Sequence, residues 1–165
     1  MRIIFRLVFV VAAFVGLTGF SDSSGYYTLD IPPSWALYKR IEESTVVYCP
    51  NGDPRRGNLS IGRTAQPHGT TLHREAEVLA GRDPIVLQEK VVVAGRDCLH
   101  ATYASNTNSG ERSLTHVLVC DVIKTPYPGA TGVFNFSVTG ISGAYGIDYE
   151  AVFWSIVHSV KFTSP

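Results

Sequence analysis

The sequence has little charge and no excess of either sign. Only 17% of its 165 residues are Asp, Glu, Lys or Arg, and 14 basic residues balance 14 acidic ones. Proteins that bind nucleic acid or anionic lipid by charge carry a concentrated basic surface. The basic residues here are scattered along the chain, so the sequence predicts no nucleic-acid partner and no electrostatic attachment to a membrane.

The sequence also lacks a recognisable catalytic or metal-binding motif. No serine lies in a Gly-x-Ser-x-Gly turn, and the five histidines show no spacing typical of zinc ligands. Glu42 and Glu43 form the only adjacent acidic pair. Neighbours in an extended strand point to opposite faces, so this pair is unsuited to sharing a proton. We therefore predict a protein that is not an enzyme, with no catalytic residue, cofactor or metal.

Cysteine is scarce, since Cys49, Cys98 and Cys120 are the only three. In an exported chain the oxidising compartment favours one disulfide and one remaining thiol, and three pairings are possible. A hairpin centred near Ser109 would place Cys98 opposite Cys120, so we favour that disulfide, with Cys49 as a free, exposed thiol beside a turn. The alternative is three buried cysteines that act as small apolar residues.

The same hairpin would bring two histidines together. His100 and His116 would lie on facing strands about 5 Å apart, on the face that carries Cys98 and Cys120. A metal site here is one interpretation, although two ligands are fewer than zinc requires. We favour the other interpretation, in which both rings are half buried and pack beneath a helix.

Residues 1–21 have the layout of a secretory signal peptide. Arg2 and Arg6 give a positive start, Leu7–Val15 is an apolar run, and small residues follow. The run is shorter than the ~20 apolar residues of a spanning helix. We expect cleavage, no stable membrane anchor afterwards, and a periplasmic or secreted single domain over residues 22–165.

Most of the remaining chain consists of short runs rich in β-forming residues and separated by turn residues. The predicted strands are Tyr26–Ile31, Trp35 towards Ile41, Thr45–Tyr48, Asn58–Arg63, Ile85–Val93, Cys98–Ser105, Ser113–Ile123 and Val133–Ile141. The alternation in one of them places four apolar residues on one face: Ile85, Leu87, Val91 and Val93. Strands joined mostly by turns predict an α+β fold with an antiparallel sheet.

Two segments have helical periodicity. The first begins after Thr70 or Thr71 and ends at Gly81, and its apolar face carries Leu72, Ala76, Leu79 and Ala80. The second begins after Asp148, a good N-cap. Its apolar stripe consists of Val152, Phe153, Ile156, Val157 and Val160. A stripe this broad predicts that the second helix covers a face of the sheet.

The order of several landmarks resembles the PsbP-like (Mog/PsbP) family. They are Tyr27-x-Leu29-x-Ile31-Pro32-x-x-Trp35, Asn58-Leu59-x-Ile61, Ala94-Gly95 and Phe153-x-x-Ile156-x-x-Ser159-Val160-x-Phe162. The resemblance implies an antiparallel sheet of six or seven strands with helices packed on its faces. It also implies a function without catalysis, because members include a photosystem subunit, a Ran-binding protein and bacterial exported proteins that bind other proteins. Some bacterial immunity proteins have a similar fold.

The candidate functional residues lie on polar loops. Loops rich in Arg, Tyr and Asn are common in binding surfaces, although any soluble domain also exposes such loops to water. The candidate residues for binding a partner protein are Asn51, Asp53, Arg55, Arg56, Asn106, Asn108, Ser109, Glu111, Arg112 and Tyr127. We predict occlusion of the partner by the loop 106–112, as in an inhibitor or an immunity protein against a secreted toxin.

A second hypothesis is a carrier of a small apolar ligand, held in a pocket between sheet and helix. The aromatic residues available to line it are Trp35, Tyr103, Phe134, Phe136, Phe153 and Trp154.

Overall fold

Ten strands and two α-helices form the fold in a computed structural model that describes residues 20–23, 27–41, 45–107, 110–121, 130–141 and 143–163. The strands are β1 (Phe20–Ser23), β2 (Tyr27–Ile31), β3 (Trp35–Ile41), β4 (Thr45–Pro50), β5 (Asn58–Pro67), β6 (Ile85–Val93), β7 (Arg96–Asn106), β8 (Arg112–Asp121), β9 (Ala130–Ile141) and β10 (Lys161–Phe162). The helices are α1 (Leu72–Ala80) and α2 (Tyr149–Ser159), and short 3-10 turns lie at Pro54–Arg56 and Ala144–Gly146.

The main sheet has seven strands in the order β3-β4-β5-β9-β8-β7-β6, and β1, β2 and β10 form a second, three-stranded sheet. Every neighbouring pair in the main sheet is antiparallel. One helix packs on each of its faces, since α1 contacts β7 and β8 while α2 contacts β9 and β8. The predicted α+β class and antiparallel sheet with helices on its faces are confirmed.

Helix α2 covers the larger core, as its stripe predicts. The Asp148 side chain accepts a hydrogen bond of 3.0 Å from the Ala151 N–H and so caps the first turn, a contribution of about 1 kcal/mol. Phe153, Ile156 and Val157 are buried against the sheet. The helix therefore sits where its N-cap and apolar stripe place it.

Helix α1 covers the opposite face and is shorter. The Thr71 side chain accepts a hydrogen bond from the Arg74 N–H, and Gly81, with φ +62°, ends the helix. Ala76 is buried against a second core, but Leu79, predicted to lie on the apolar face, is exposed. Nine residues cover only part of the sheet, so one side of this helix stays in water.

One strand differs from its prediction. The register of β6 against β7 shifts between Ile85 and Leu87, and such a bulge turns the residues on either side of it to opposite faces. Ile85 therefore packs with the α1 core, while Val91 and Val93 pack with the α2 core. The prediction that Ile85, Leu87, Val91 and Val93 share one face is wrong for Ile85.

The first described strand was not predicted, because its residues fall at the end of the predicted export signal. Phe20–Ser23 pairs with β2, from Phe20 opposite Ile31 to Ser23 opposite Thr28. Residues 1–19 lie outside the described residues, so the signal peptide, its cleavage and the domain limits stay predictions. Among the residues that the structure covers, no helix combines the length and apolar character needed to cross a membrane.

Candidate functional site

Two of the candidate loops lie at the same end of the main sheet. The β4–β5 connection begins at Asn51 and the β7–β8 connection follows Asn106. Because the strands between them alternate in direction, both connections leave the sheet at one end. Three strand spacings separate them, which is about 15 Å. We call this end, with Asn51, Asp53, Arg55, Arg56, Tyr145, Asn106, Glu111 and Arg112, the loop-end surface.

The β4–β5 loop is organised by Asp53. Its carboxylate accepts hydrogen bonds from Arg55 Nε at 2.9 Å, from Nη2 at 3.0 Å and from the Arg55 backbone N–H at 3.1 Å. These bonds lower the pKa of the Asp53 carboxyl. The Arg55 side chain is nevertheless 83% exposed. Asp53 therefore orients a guanidinium whose outer side is open to a partner.

Tyr145 belongs to this surface and was not predicted from the sequence. The residue is 54% exposed, and its ring lies 5.4 Å from the Arg56 guanidinium. Its φ of +59° is uncommon for a residue other than glycine. Tyrosine and arginine are enriched among residues that dominate binding energy. The only sequence signal is its position between Gly143 and Gly146, which is a weak one.

Tyr149 fixes the β4–β5 loop against helix α2. Its hydroxyl donates a hydrogen bond to the Arg56 backbone oxygen. Burial is the main cause that raises the pKa of Tyr149, so it stays a donor. The ring lies on Gly140, where a methyl group would overlap it. Loop and helix are thus held together at the loop-end surface.

The β7–β8 loop closes on itself. The Thr107 N–H donates to the Glu111 backbone oxygen at 2.8 Å, and the Glu111 N–H donates to the Thr107 hydroxyl at 3.1 Å. Asn106 pairs with Arg112 at the ends of the two strands. Asn108 and Ser109 lie outside the described residues, so their role stays a prediction.

Tyr127 also lies outside the described residues. The strands on either side of it end at Asp121 and begin at Ala130, at the other end of the sheet from the loop-end surface. Its assignment as a partner-binding residue stays a prediction.

The two histidines of the central hairpin meet beneath α2. His100 Nε2 lies 3.4 Å from His116 Nδ1, and His100 Nδ1 lies 2.9 Å from Glu89 Oε1. The Phe153 ring stacks on His100 with 4.7 Å between centroids. Both histidines are buried. They pack under the helix, the interpretation favoured from the sequence, although they are fully rather than half buried.

The described residues contain no group of three or more His, Cys, Asp or Glu side chains placed to bind a metal. The structure has a disulfide between Cys98 and Cys120, the pair that the hairpin predicts. Cys49 is buried, not exposed as predicted, and burial raises the pKa of its thiol. A buried neutral thiol is a poor nucleophile.

From the environment of the buried His116 we predict that the protein loses stability in acid. Burial and the neighbouring His100 lower the pKa of His116, while Glu150 and Asp148 act against them. A histidine whose pKa is lower in the folded state binds fewer protons there, so unfolding takes up protons as the pH falls. The free energy of unfolding should therefore be highest near neutral pH and decrease below about 6.5, the unfolded pKa of histidine.

Urea unfolding at pH 7.5, 6.0 and 5.0 measures this dependence. His116→Gln should flatten it, because glutamine does not titrate. His158→Gln, on the exposed side of α2, is the matched control and should keep the wild-type dependence. Identical pH dependence in both variants would contradict the prediction.

A groove runs between β2 and α2. It has a volume of about 570 Å³, and its apolar lining includes Ile31, Pro32, Pro33, Ile147 and Val152. Of the six aromatic residues proposed from the sequence to line a ligand pocket, only Trp35 borders this groove. Phe134, Phe136 and Phe153 are ordinary core residues. Tyr103 lies in the other core, on the α1 face.

Comparison with known proteins shows likeness in fold alone. No protein-family model matches the chain, and no curated protein matches it by sequence. The solution structure of cyanobacterial PsbP (CyanoP) from Synechocystis sp. PCC 6803 superposes with a TM-score of 0.57 at 16% identity, over 91% of this chain and 96% of that one.

The crystal structure of LpqN, involved in cell envelope biogenesis of Mycobacterium tuberculosis, superposes with a TM-score of 0.56 at 13% identity, over 91% of this chain and 88% of that one. The PsbP-like fold that the sequence landmarks indicate is confirmed. At these identities neither protein carries a residue role across.

Proposed function

We propose that this chain, which has the PsbP-like fold, is an exported, non-catalytic protein that binds another protein through its loop-end surface. The observation that carries the proposal is the position of two predicted loops at the same end of the main sheet, with Arg55 oriented by Asp53 and Tyr145 exposed beside Arg56. A surface fixed before binding loses less entropy on docking.

Three further observations support the non-catalytic and exported parts of the proposal. His100 and His116, which meet in the described core, are buried and packed beneath Phe153. The Cys98–Cys120 disulfide is typical of proteins outside the reducing cytosol. LpqN, which shares the fold, is involved in cell envelope biogenesis.

The proposed mechanism is occlusion. The described part of the β7–β8 connection is closed by hydrogen bonds between Thr107 and Glu111. Insertion of the loop 106–112 into a partner's cleft would block the cleft. An inhibitor or an immunity protein against a secreted toxin works in this way, so an enzyme with an open substrate cleft is the kind of partner proposed.

Charge reversal at the loop-end surface tests the proposal. Arg55→Glu combined with Arg112→Glu should reduce recovery of the partner at least tenfold in a pull-down from the envelope extract of the source organism, because reversing two interface charges costs more than about 1.4 kcal/mol. Arg74→Glu is the control, because the Arg74 side chain lies on α1 and is 68% exposed. This variant should leave recovery of the partner unchanged.

Recovery of no stoichiometric protein by the wild type would overturn the proposal. Equal loss in the double variant and in Arg74→Glu would show that binding depends on overall charge rather than on the loop-end surface.

The groove beside α2 supports a second candidate, a carrier of a small apolar ligand. Its volume of about 570 Å³ lies within the range of ligand sites, roughly 300–1,000 Å³. Native mass spectrometry separates the two candidates, because a carrier purifies with bound ligand whereas a protein-binding domain shows its bare mass.

A further inference from the structure

Large exposed apolar side chains concentrate on the two edge strands of the main sheet. On β6, Val92 is 72% exposed, Val86 51% and Leu87 44%, and on β3 Leu37, Tyr38 and Ile41 are exposed. Water-exposed apolar side chains on an edge strand are unusual, because an edge also offers unpaired backbone groups to other chains. Both edges are therefore candidate surfaces for binding another strand.

The register shows which backbone groups of β6 are free. Cys98 and Cys120 lie opposite each other with 4.3 Å between Cα atoms, the spacing of a pair without mutual hydrogen bonds. The N–H and C=O of Cys98 therefore point towards its β6 partner, Val91. Backbone direction alternates along a strand, so the N–H and C=O groups of Gln88, Lys90 and Val92 point away from β7. On that side the described chain provides no further strand.

The β6 edge is better suited to pairing than the β3 edge. Strand β3 has a register shift between Leu37 and Lys39, which interrupts its edge after three residues. In β6 the register is continuous from Leu87 to Val93. Seven residues of regular strand offer about 24 Å of continuous edge.

The charges of β6 disfavour a second copy of the chain as its partner. In an antiparallel pair of strands, residues directly opposite each other have their side chains on the same face of the sheet. If two copies of β6 paired about the middle of the strand, Glu89 would therefore lie opposite Glu89, or Lys90 opposite Lys90. Like charges directly opposite are destabilising. Glu89 is already engaged by His100 at 2.9 Å, which leaves Lys90 as the charge available to a different strand.

We propose that the β6 edge binds an extended segment of another protein by antiparallel strand addition, with an acidic residue opposite Lys90 and an apolar residue opposite Val92. Main-chain hydrogen bonds from Gln88, Lys90 and Val92 provide affinity in this mode, and the side chains provide selectivity. The β6 edge is separate from the loop-end surface, so this proposal does not depend on the proposed function.

Titration of a synthetic nine-residue peptide into the isotope-labelled protein tests the proposal by amide NMR. The peptide alternates Thr and Val and carries one Asp two positions from a central Val, and a second peptide has Lys in place of the Asp. The Asp peptide should shift the amides of Gln88, Lys90 and Val92, and the Lys peptide should bind at least about fivefold more weakly.

Two variants of Lys90 sharpen the test. Lys90→Glu should reverse the preference between the two peptides. Lys90→Pro should abolish binding, because proline removes an outward-pointing N–H that the β7 pairing does not use. Binding of neither peptide at millimolar concentration, an unchanged preference in Lys90→Glu, or self-association of the wild type that Lys90→Pro removes would overturn the proposal.

Discussion

Replacing Phe153 with alanine is expected to lower the free energy of unfolding by about 3–5 kcal/mol, the usual cost of truncating a fully buried aromatic side chain. The Phe153 ring has no exposed surface. It lies 4.7 Å from the His100 ring, 5.3 Å from Phe136 and 5.2 Å from Trp154, measured between centroids. Its removal would leave a cavity under α2 and let water reach the two histidines.

Urea unfolding at pH 7.5 measures this loss. Phe153→Leu keeps most of the apolar volume and should cost less than half as much as the alanine variant. Tyr145→Ala removes an exposed aromatic ring and should cost less than about 1 kcal/mol. If Phe153→Ala were no more destabilising than Tyr145→Ala, α2 would not cover the core that its stripe predicts.

The parts of the fold that the sequence predicts well depend on local pattern. The α2 stripe repeats at the helical period, and Asp148 stands one residue before the helix that it caps. The β7–β8 hairpin is similarly local, because its turn residues fix the register that sets Cys98 opposite Cys120. In each case neighbouring residues carry the whole signal.

The parts that the sequence does not predict depend on long-range pairing. Strand β9 lies between β5 and β8, and this order places the two candidate loops at one end. The bulge that turns Ile85 to the α1 face has no turn residue to mark it. Tyr145 lies beside Arg56 because it follows β9, which pairs with β5, and Arg56 lies just before β5. No periodicity in the sequence encodes these contacts.

Removing the disulfide with Cys98→Ala and Cys120→Ala is expected to lower the free energy of unfolding by about 3 kcal/mol, because the closed loop reduces the entropy of the unfolded chain. The same change should lower Tm by about 10 °C. The bond joins residues 22 apart, so its loop spans the whole β7–β8 hairpin. Both sulfurs lie in the α2 core, so the substitution also removes buried contacts.

Cys49→Ala is the matched control, because it removes a buried sulfur that belongs to no disulfide, and it should cost about 1 kcal/mol. A reducing agent present during urea unfolding should lower the free energy of unfolding of the wild type towards that of the double variant. It should leave the double variant unchanged, because only the wild type has a disulfide to lose. If the double variant were as stable as Cys49→Ala, strand pairing alone would hold the hairpin in register. The disulfide would then contribute nothing to the rigidity that the loop-end surface needs for occlusion.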